Sequence, residues 1–241
     1  MSGARLIQPA LLLAILAMVA APALTPAFTG YDPATFPVRI ERPAIQPAGY
    51  AFSIWGLIYL WLAVFAVVFL WKRREDPDWL LVSGPMILSL AVGSLWLYIA
   101  PTMPIVAGVS ILVMAGSALT AFLRADTFAD RWTLAAPIAI YAGWLSAAAA
   151  VSTGVILAGY GVLSDTGAAL AMLAVVIGLA GVMQYRQPRL PEYGLTVIWA
   201  LVGVVAANWG QNVTVFLAAA IAVLIVAGGL ILLLPRMRRG L

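Results

Sequence analysis

The sequence predicts an all-α polytopic membrane bundle, and two observations carry that prediction. Of the 241 residues, 64% are hydrophobic and only 9% are charged, against roughly 25% charged in an ordinary soluble domain. The apolar residues also run continuously over stretches near the ~20 residues that carry a helix across a ~30 Å hydrocarbon core, whereas membrane strands alternate apolar and polar positions. A third observation narrows the chemistry. The chain has no Cys and no His, which removes disulfides, thiolate nucleophiles, the commonest metal ligand and the usual proton shuttle near neutral pH.

Eight spans follow in order, each ended by charges or by Pro and Gly. The first, 6–27, starts after Arg5 and runs to the Thr25-Pro26 pair. The same residues could form a secretory signal with small-residue sites such as Ala21-Pro22-Ala23, but the bundle needs a first helix and a retained span is the expectation. The second, 49–71, enters from Pro47-Ala48-Gly49 and stops at Lys72-Arg73-Arg74. The third, 79–99, follows Asp76-Pro77-Asp78, and the fourth, 103–123, ends at Arg124. The fifth, 132–157, follows Asp130-Arg131; the sixth, 167–185, lies between Asp165 and Arg186; the seventh, 193–208, follows Pro191-Glu192. The eighth, 213–234, is separated from it only by Asn208-Trp209-Gly210-Gln211-Asn212, which reads as a turn because 193–234 is far too long for one crossing.

With eight crossings the basic residues fall mostly on one side. Arg5, Lys72, Arg73, Arg74, Arg124, Arg131, Arg186, Arg189, Arg236, Arg238 and Arg239 share the side of the N-terminus, and only Arg39 and Arg42 lie opposite. The positive-inside rule then puts both termini in the cytoplasm of a cell-membrane protein and turns the loop 28–48 outward. The net charge of +4 is explained by topology and by anionic lipid at the inner leaflet, and nucleic acid is not needed as a partner. That loop holds Pro33, Pro37, Pro43 and Pro47 and should be stiff and partly extended, either a lid or a plain connector.

The spans carry almost no ionisable side chain. Ion-coupled carriers and pumps place carboxylates or basic groups at mid-membrane, so that class is disfavoured. No nucleophile, base or metal constellation suggests an enzyme. Ser53, Ser89, Ser94, Ser110, Ser117, Ser146 and Ser152 read as packing residues, as do the small residues around Gly154–Ala158, Gly178–Gly181 and Ala147–Val151, which make a homodimer reasonable. Aromatics stand out instead: nine Trp and eight Tyr. Trp71, Trp79, Trp132 and Trp209 sit near span ends, where an aromatic belt is expected. Trp55 and Tyr59 share a helix face with Phe52, and Tyr141 and Trp144 form an i, i+3 pair, so two helices each present a stripe of rings. Trp96, Tyr98 and Trp199 are also placed inside spans. Such stripes suit flat apolar ligands, stacked on the rings and fixed by an indole or phenol hydrogen bond.

Three segments carry a family resemblance. Pro47, Gly49, Tyr50, Phe52, Trp55 and Tyr59 are similar to the Pro-Gly-Trp-x-Phe…Trp…Tyr entry into the second helix of the tryptophan-rich sensory proteins, relatives of the mitochondrial translocator protein (peripheral benzodiazepine receptor). Leu95-Trp96-Leu97-Tyr98 is similar to that family's third helix, and Pro137…Tyr141…Trp144 to its fifth. Gly93 and Ser152 stand where the family usually has Asn. The resemblance implies a five-helix core over 1–157 with the outward loop closing over it, and a three-helix C-terminal extension over 158–241. It implies a cavity for porphyrin, haem or a sterol-like molecule, with Tyr50, Phe52, Trp55, Tyr59, Trp96, Tyr141 and Trp144 as ligand-binding residues, no metal site and no required cofactor. The expected function is a receptor or carrier with a sensory or transport role. An enzyme degrading a bound tetrapyrrole, and a structural or regulatory membrane protein without a small ligand, are the alternatives.

Overall fold

The computed structural model of the chain describes residues 2–26, 28, 30–126 and 130–238. Among them are eight helices long and apolar enough to cross a membrane, and no strand. They are α1 (Ser2–Leu24), α2 (Ile54–Lys72), α3 (Pro77–Ile99), α4 (Pro104–Arg124), α5 (Ala136–Gly159), α6 (Asp165–Arg186), α7 (Pro191–Asn208) and α8 (Val213–Arg238). Arg239, and the side chains of Arg5 and Arg238, lie outside what is described.

Local chemistry sets the boundaries. The Thr25 hydroxyl donates to the Ala21 carbonyl at 2.9 Å, and Pro26 disfavours a helical residue before it, so α1 stops at Leu24 and short of 27. Asp76 caps α3 by accepting from Asp78 N–H at 3.0 Å, with Pro77 in the first turn. Ser164 caps α6 through Gly167 N–H at 3.1 Å. Between α7 and α8 the chain does turn: Gly210 takes φ +70° and Asn212 caps α8 by accepting from Val215 N–H at 3.2 Å. Two stretches are not α-helical as expected. Residues Gly49–Ser53 form a 3-10 turn ahead of α2, and Arg131–Ala135 a π turn ahead of α5.

Two rings of helices share α5. Packing runs α1–α2–α5–α4–α3 and back to α1, and separately α5–α6–α8–α7 and back to α5. A helix apolar on every face belongs in an interior, and α5 is buried along nearly its whole length. Its Ala and Gly residues allow the close approach. A Cβ on Gly143 would stand 2.7 Å from the Tyr193 carbonyl oxygen of α7. Gly154 likewise meets Ile45 and Met172, whereas Gly178 and Gly181 face open space and pack nothing.

One end of the bundle is basic and tied by ion pairs. Arg73 pairs with Asp130 at 3.0 Å, and Arg131 with Glu192 at 2.7 Å. Trp79 departs from the expected belt: it is fully buried, stacked on Phe69 at 5.8 Å, and its indole N–H donates to Asp130 at 2.9 Å. The partly buried Asp130 carboxylate thereby gains a donor besides Arg73. Trp71, Trp132 and Trp209 are exposed, as a belt requires. The other end carries the loop between α1 and α2, whose described residues are irregular except for the 3-10 turns at Pro33–Thr35 and Gly49–Ser53.

Candidate functional site

The five-helix ring encloses a cavity of about 310 Å³ in its loop-end half. α1 contributes Met18 and Pro22, α3 Gly93 and Trp96, α4 Ile111 and Met114, and α5 a strip from Trp144 to Val155. Phe52, Trp55 and Tyr59 come from the 3-10 turn and α2, and Ala200 of α7 reaches in from the second ring. The lining is overwhelmingly apolar, and none of its side chains carries a charge.

Rings form the walls. Trp55 stacks on Tyr59 at 5.3 Å and stands edge-on to Trp144 at 6.4 Å, while Phe52 meets Trp144 edge-on at 5.7 Å. Trp96 closes the far side with its indole N–H spent on the Ala107 carbonyl at 2.9 Å. Five of the seven residues expected to bind ligand therefore face one space: Phe52, Trp55, Tyr59, Trp96 and Trp144. Two do not line it. Tyr141 is fully buried in the wall behind Trp55, its hydroxyl 3.0 Å from Ser89, which in turn donates to the Met114 carbonyl at 2.9 Å. Tyr50 is 47% exposed and packs edge-on against Trp199 on the outside of the ring. Tyr50 lies two residues before Phe52, and residues at that spacing face opposite sides of a helical turn, so the stripe that begins at Phe52 does not extend back to it.

The loop roofs the cavity. Phe28 stands edge-on to Trp96 at 4.7 Å and Tyr31 to the same indole at 6.3 Å. The Tyr31 hydroxyl lies 2.6 Å from Ser152 of α5 and bolts the roof to the wall. Burial raises the Tyr31 pKa above 10.0, and the bond to Ser152 offsets part of that rise. Further along, Phe36 packs against Gly159 and Val38 N–H donates to the Gly159 carbonyl at 2.9 Å.

The last third of the loop is held by the second ring. Ala44 N–H donates to the Asp165 carboxylate at 3.0 Å, and its carbonyl accepts from buried Asn208 at 2.8 Å. Ala48 N–H donates to the Gly203 carbonyl at 2.9 Å, where glycine lets Pro47 and Ala51 press against α7. The Trp199 indole then donates to Ala51 O at 2.9 Å. Sequence reasoning missed Met18, Phe28, Tyr31, Met114 and the bonding partner of Ser152. The aromatic residues of a Pro-rich loop beside an aromatic helix were the available signal for the roof.

Among the described residues no group of three or more acidic side chains could hold a metal ion. The chain matches a family model described as TSPO-like protein over residues 8–232, a span that takes in both helix rings. No curated protein and no solved structure matches it.

Proposed function

Because the chain belongs to the TSPO-like family, we propose that it is a membrane receptor or carrier that takes a flat apolar ligand into the cavity of the five-helix ring. The observation that carries this reading is the roofed, uncharged cavity walled by Phe52, Trp55, Tyr59, Trp96 and Trp144. Its volume of about 310 Å³ lies at the lower end of the ~300–1,000 Å³ usual for small-molecule sites. A fused-ring body of sterol size suits that space, and a tetrapyrrole needs the roof displaced. Entry is from the loop end, which the positive-inside rule turns away from the cytoplasm.

Protein reconstituted in lipid nanodiscs and titrated with a sterol and with protoporphyrin, while Trp fluorescence is followed, tests the proposal. Saturable quenching that is lost in a Trp96→Phe, Trp144→Phe double variant is expected. Quenching no larger in the wild type than in that variant, for both ligands, would remove the cavity as a binding site.

A further inference from the structure

A second, shallower space lies on the outside of the bundle, where the two helix rings meet. α2 and α7 both pack on α5, and the 3-10 turn Gly49–Ser53 bridges to α7. Beside that turn the seam opens into a groove of about 390 Å³, lined by Ser53 and Leu57, by Ile140 of α5, and by Glu192, Leu195 and Trp199 of α7. Ile140 is buried while Leu57, Leu195 and Trp199 are exposed, so the groove faces outward with α5 beneath it. In a bilayer such a surface meets acyl chains and finds no water to pair with its polar groups. From Glu192 in the first turn of α7 to Trp199 it runs about 10 Å.

Among the described residues Glu192 is the only charged side chain lining this groove. One of its carboxylate oxygens meets Arg131 at 2.7 Å. The other is buried without a hydrogen-bond partner, the only side-chain oxygen or nitrogen so placed among the described residues. Leaving it unmet is costly, and the terminal torsion of a glutamate is broad enough to turn it toward an incoming donor. Arg131 gives its other amino group to the Arg189 carbonyl at 2.8 Å, and its side chain is 34% exposed, so it can still face an anion. The complement of this pair is a group that carries an ammonium beside a phosphate and lies head to tail along it. A quaternary ammonium has no N–H to give, and a headgroup with only negative charge sets like charge against Glu192. The pair sits within one turn of the helix end, at headgroup depth, and apolar groove continues from it toward the bilayer centre. We propose that this groove is a lipid site. It seats one acyl chain of an aminophospholipid from the leaflet at the basic end, with the primary ammonium on Glu192 and the phosphate on Arg131. The site is separate from the five-helix cavity and does not depend on a ligand there. It does share Trp199 with the loop, since the ring lines the groove while its N–H holds Ala51.

Native mass spectrometry of the full chain tests this, with phosphatidylethanolamine, phosphatidylcholine and phosphatidylglycerol of identical acyl chains titrated separately in detergent. The first phosphatidylethanolamine should be held about two- to tenfold more tightly than either of the others, the worth of one net hydrogen bond. Glu192→Gln should bring it down to the phosphatidylcholine level and leave phosphatidylcholine itself unchanged. Leu195→Trp, at an exposed position clear of the ion pair, should fill the groove and abolish the preference. Equal affinities in the wild type, or a preference that survives either variant, would overturn the proposal. So would a dimer that Leu195→Trp dissolves, which would assign the groove to a second copy of the chain. Should Glu192→Gln fail to accumulate for want of its pair with Arg131, Leu195→Trp decides alone.

Discussion

Tyr31 has one hydrogen bond that matters, and its partner lies on α5. Removing the hydroxyl as Tyr31→Phe leaves Ser152, which is 3% exposed, without that bond. The closed roof should lose about 0.5–1.5 kcal/mol, seen as ligand dissociation roughly two- to tenfold faster by stopped-flow fluorescence. The bond is also expected to ignore pH. An acid with a raised pKa stabilises the closed state fully below its free value and loses that contribution only as pH climbs past about 10. With no His in the chain, dissociation should stay flat from about pH 6 to 9; a marked acceleration inside that window would show that some other group holds the roof. Residue roles were legible to differing degrees in the sequence. Trp55, Tyr59 and Trp144 announced themselves through helical spacing, because period alone decides which rings share a face. Ser152 did not, since a hydroxyl pairing across 121 residues leaves no local trace. Tyr50 was placed by resemblance and not by spacing, which already sets it off the face of Phe52, Trp55 and Tyr59.

At the scale of elements, α7 does two jobs. It packs on α5, and through Gly203, Trp199 and Asn208 it holds residues 44–51 beside the cavity. A Trp199→Phe, Asn208→Ala double variant keeps the helix but removes two bonds to the loop. The 28–48 segment should then be cut several-fold faster in limited proteolysis, with the helices intact by circular dichroism. Unchanged cleavage would mean that Asp165 and the Gly203 carbonyl suffice. Helix positions themselves were readable to within a few residues, because apolar runs stopped by Arg, Asp-Pro or Gly have one solution in a bilayer. The deep seat of Pro47 against Gly203 was not readable: it depends on a close approach that only a missing side chain permits.

For the whole molecule, sharing α5 between two rings makes the division at 157 a poor place to cut. A five-helix piece ending at Tyr160 would expose the α5 face that carries Gly143 and Ser146, the latter bonded to Tyr193 at 3.0 Å. It would also drop Ala200 from the cavity wall. Such a truncation should accumulate at low levels in the membrane and bind no ligand, judged by in-gel fluorescence of a tagged chain and by the same titration. Wild-type affinity in the truncated chain would establish the first five helices as an independent unit.

The fastening of the loop by α7 also has a timetable. Ala51 and Trp199 are 148 residues apart, and at about 5–20 residues per second of synthesis the indole arrives some 7–30 s after the carbonyl it holds. During that interval residues 44–51 lack this fastening, although Tyr31 can meet Ser152 as soon as α5 is made. Under the proposed function, a molecule dissolved in the bilayer can enter beside the unfastened segment before α7 arrives, so a chain produced in a foreign membrane is expected to carry that membrane's occupant.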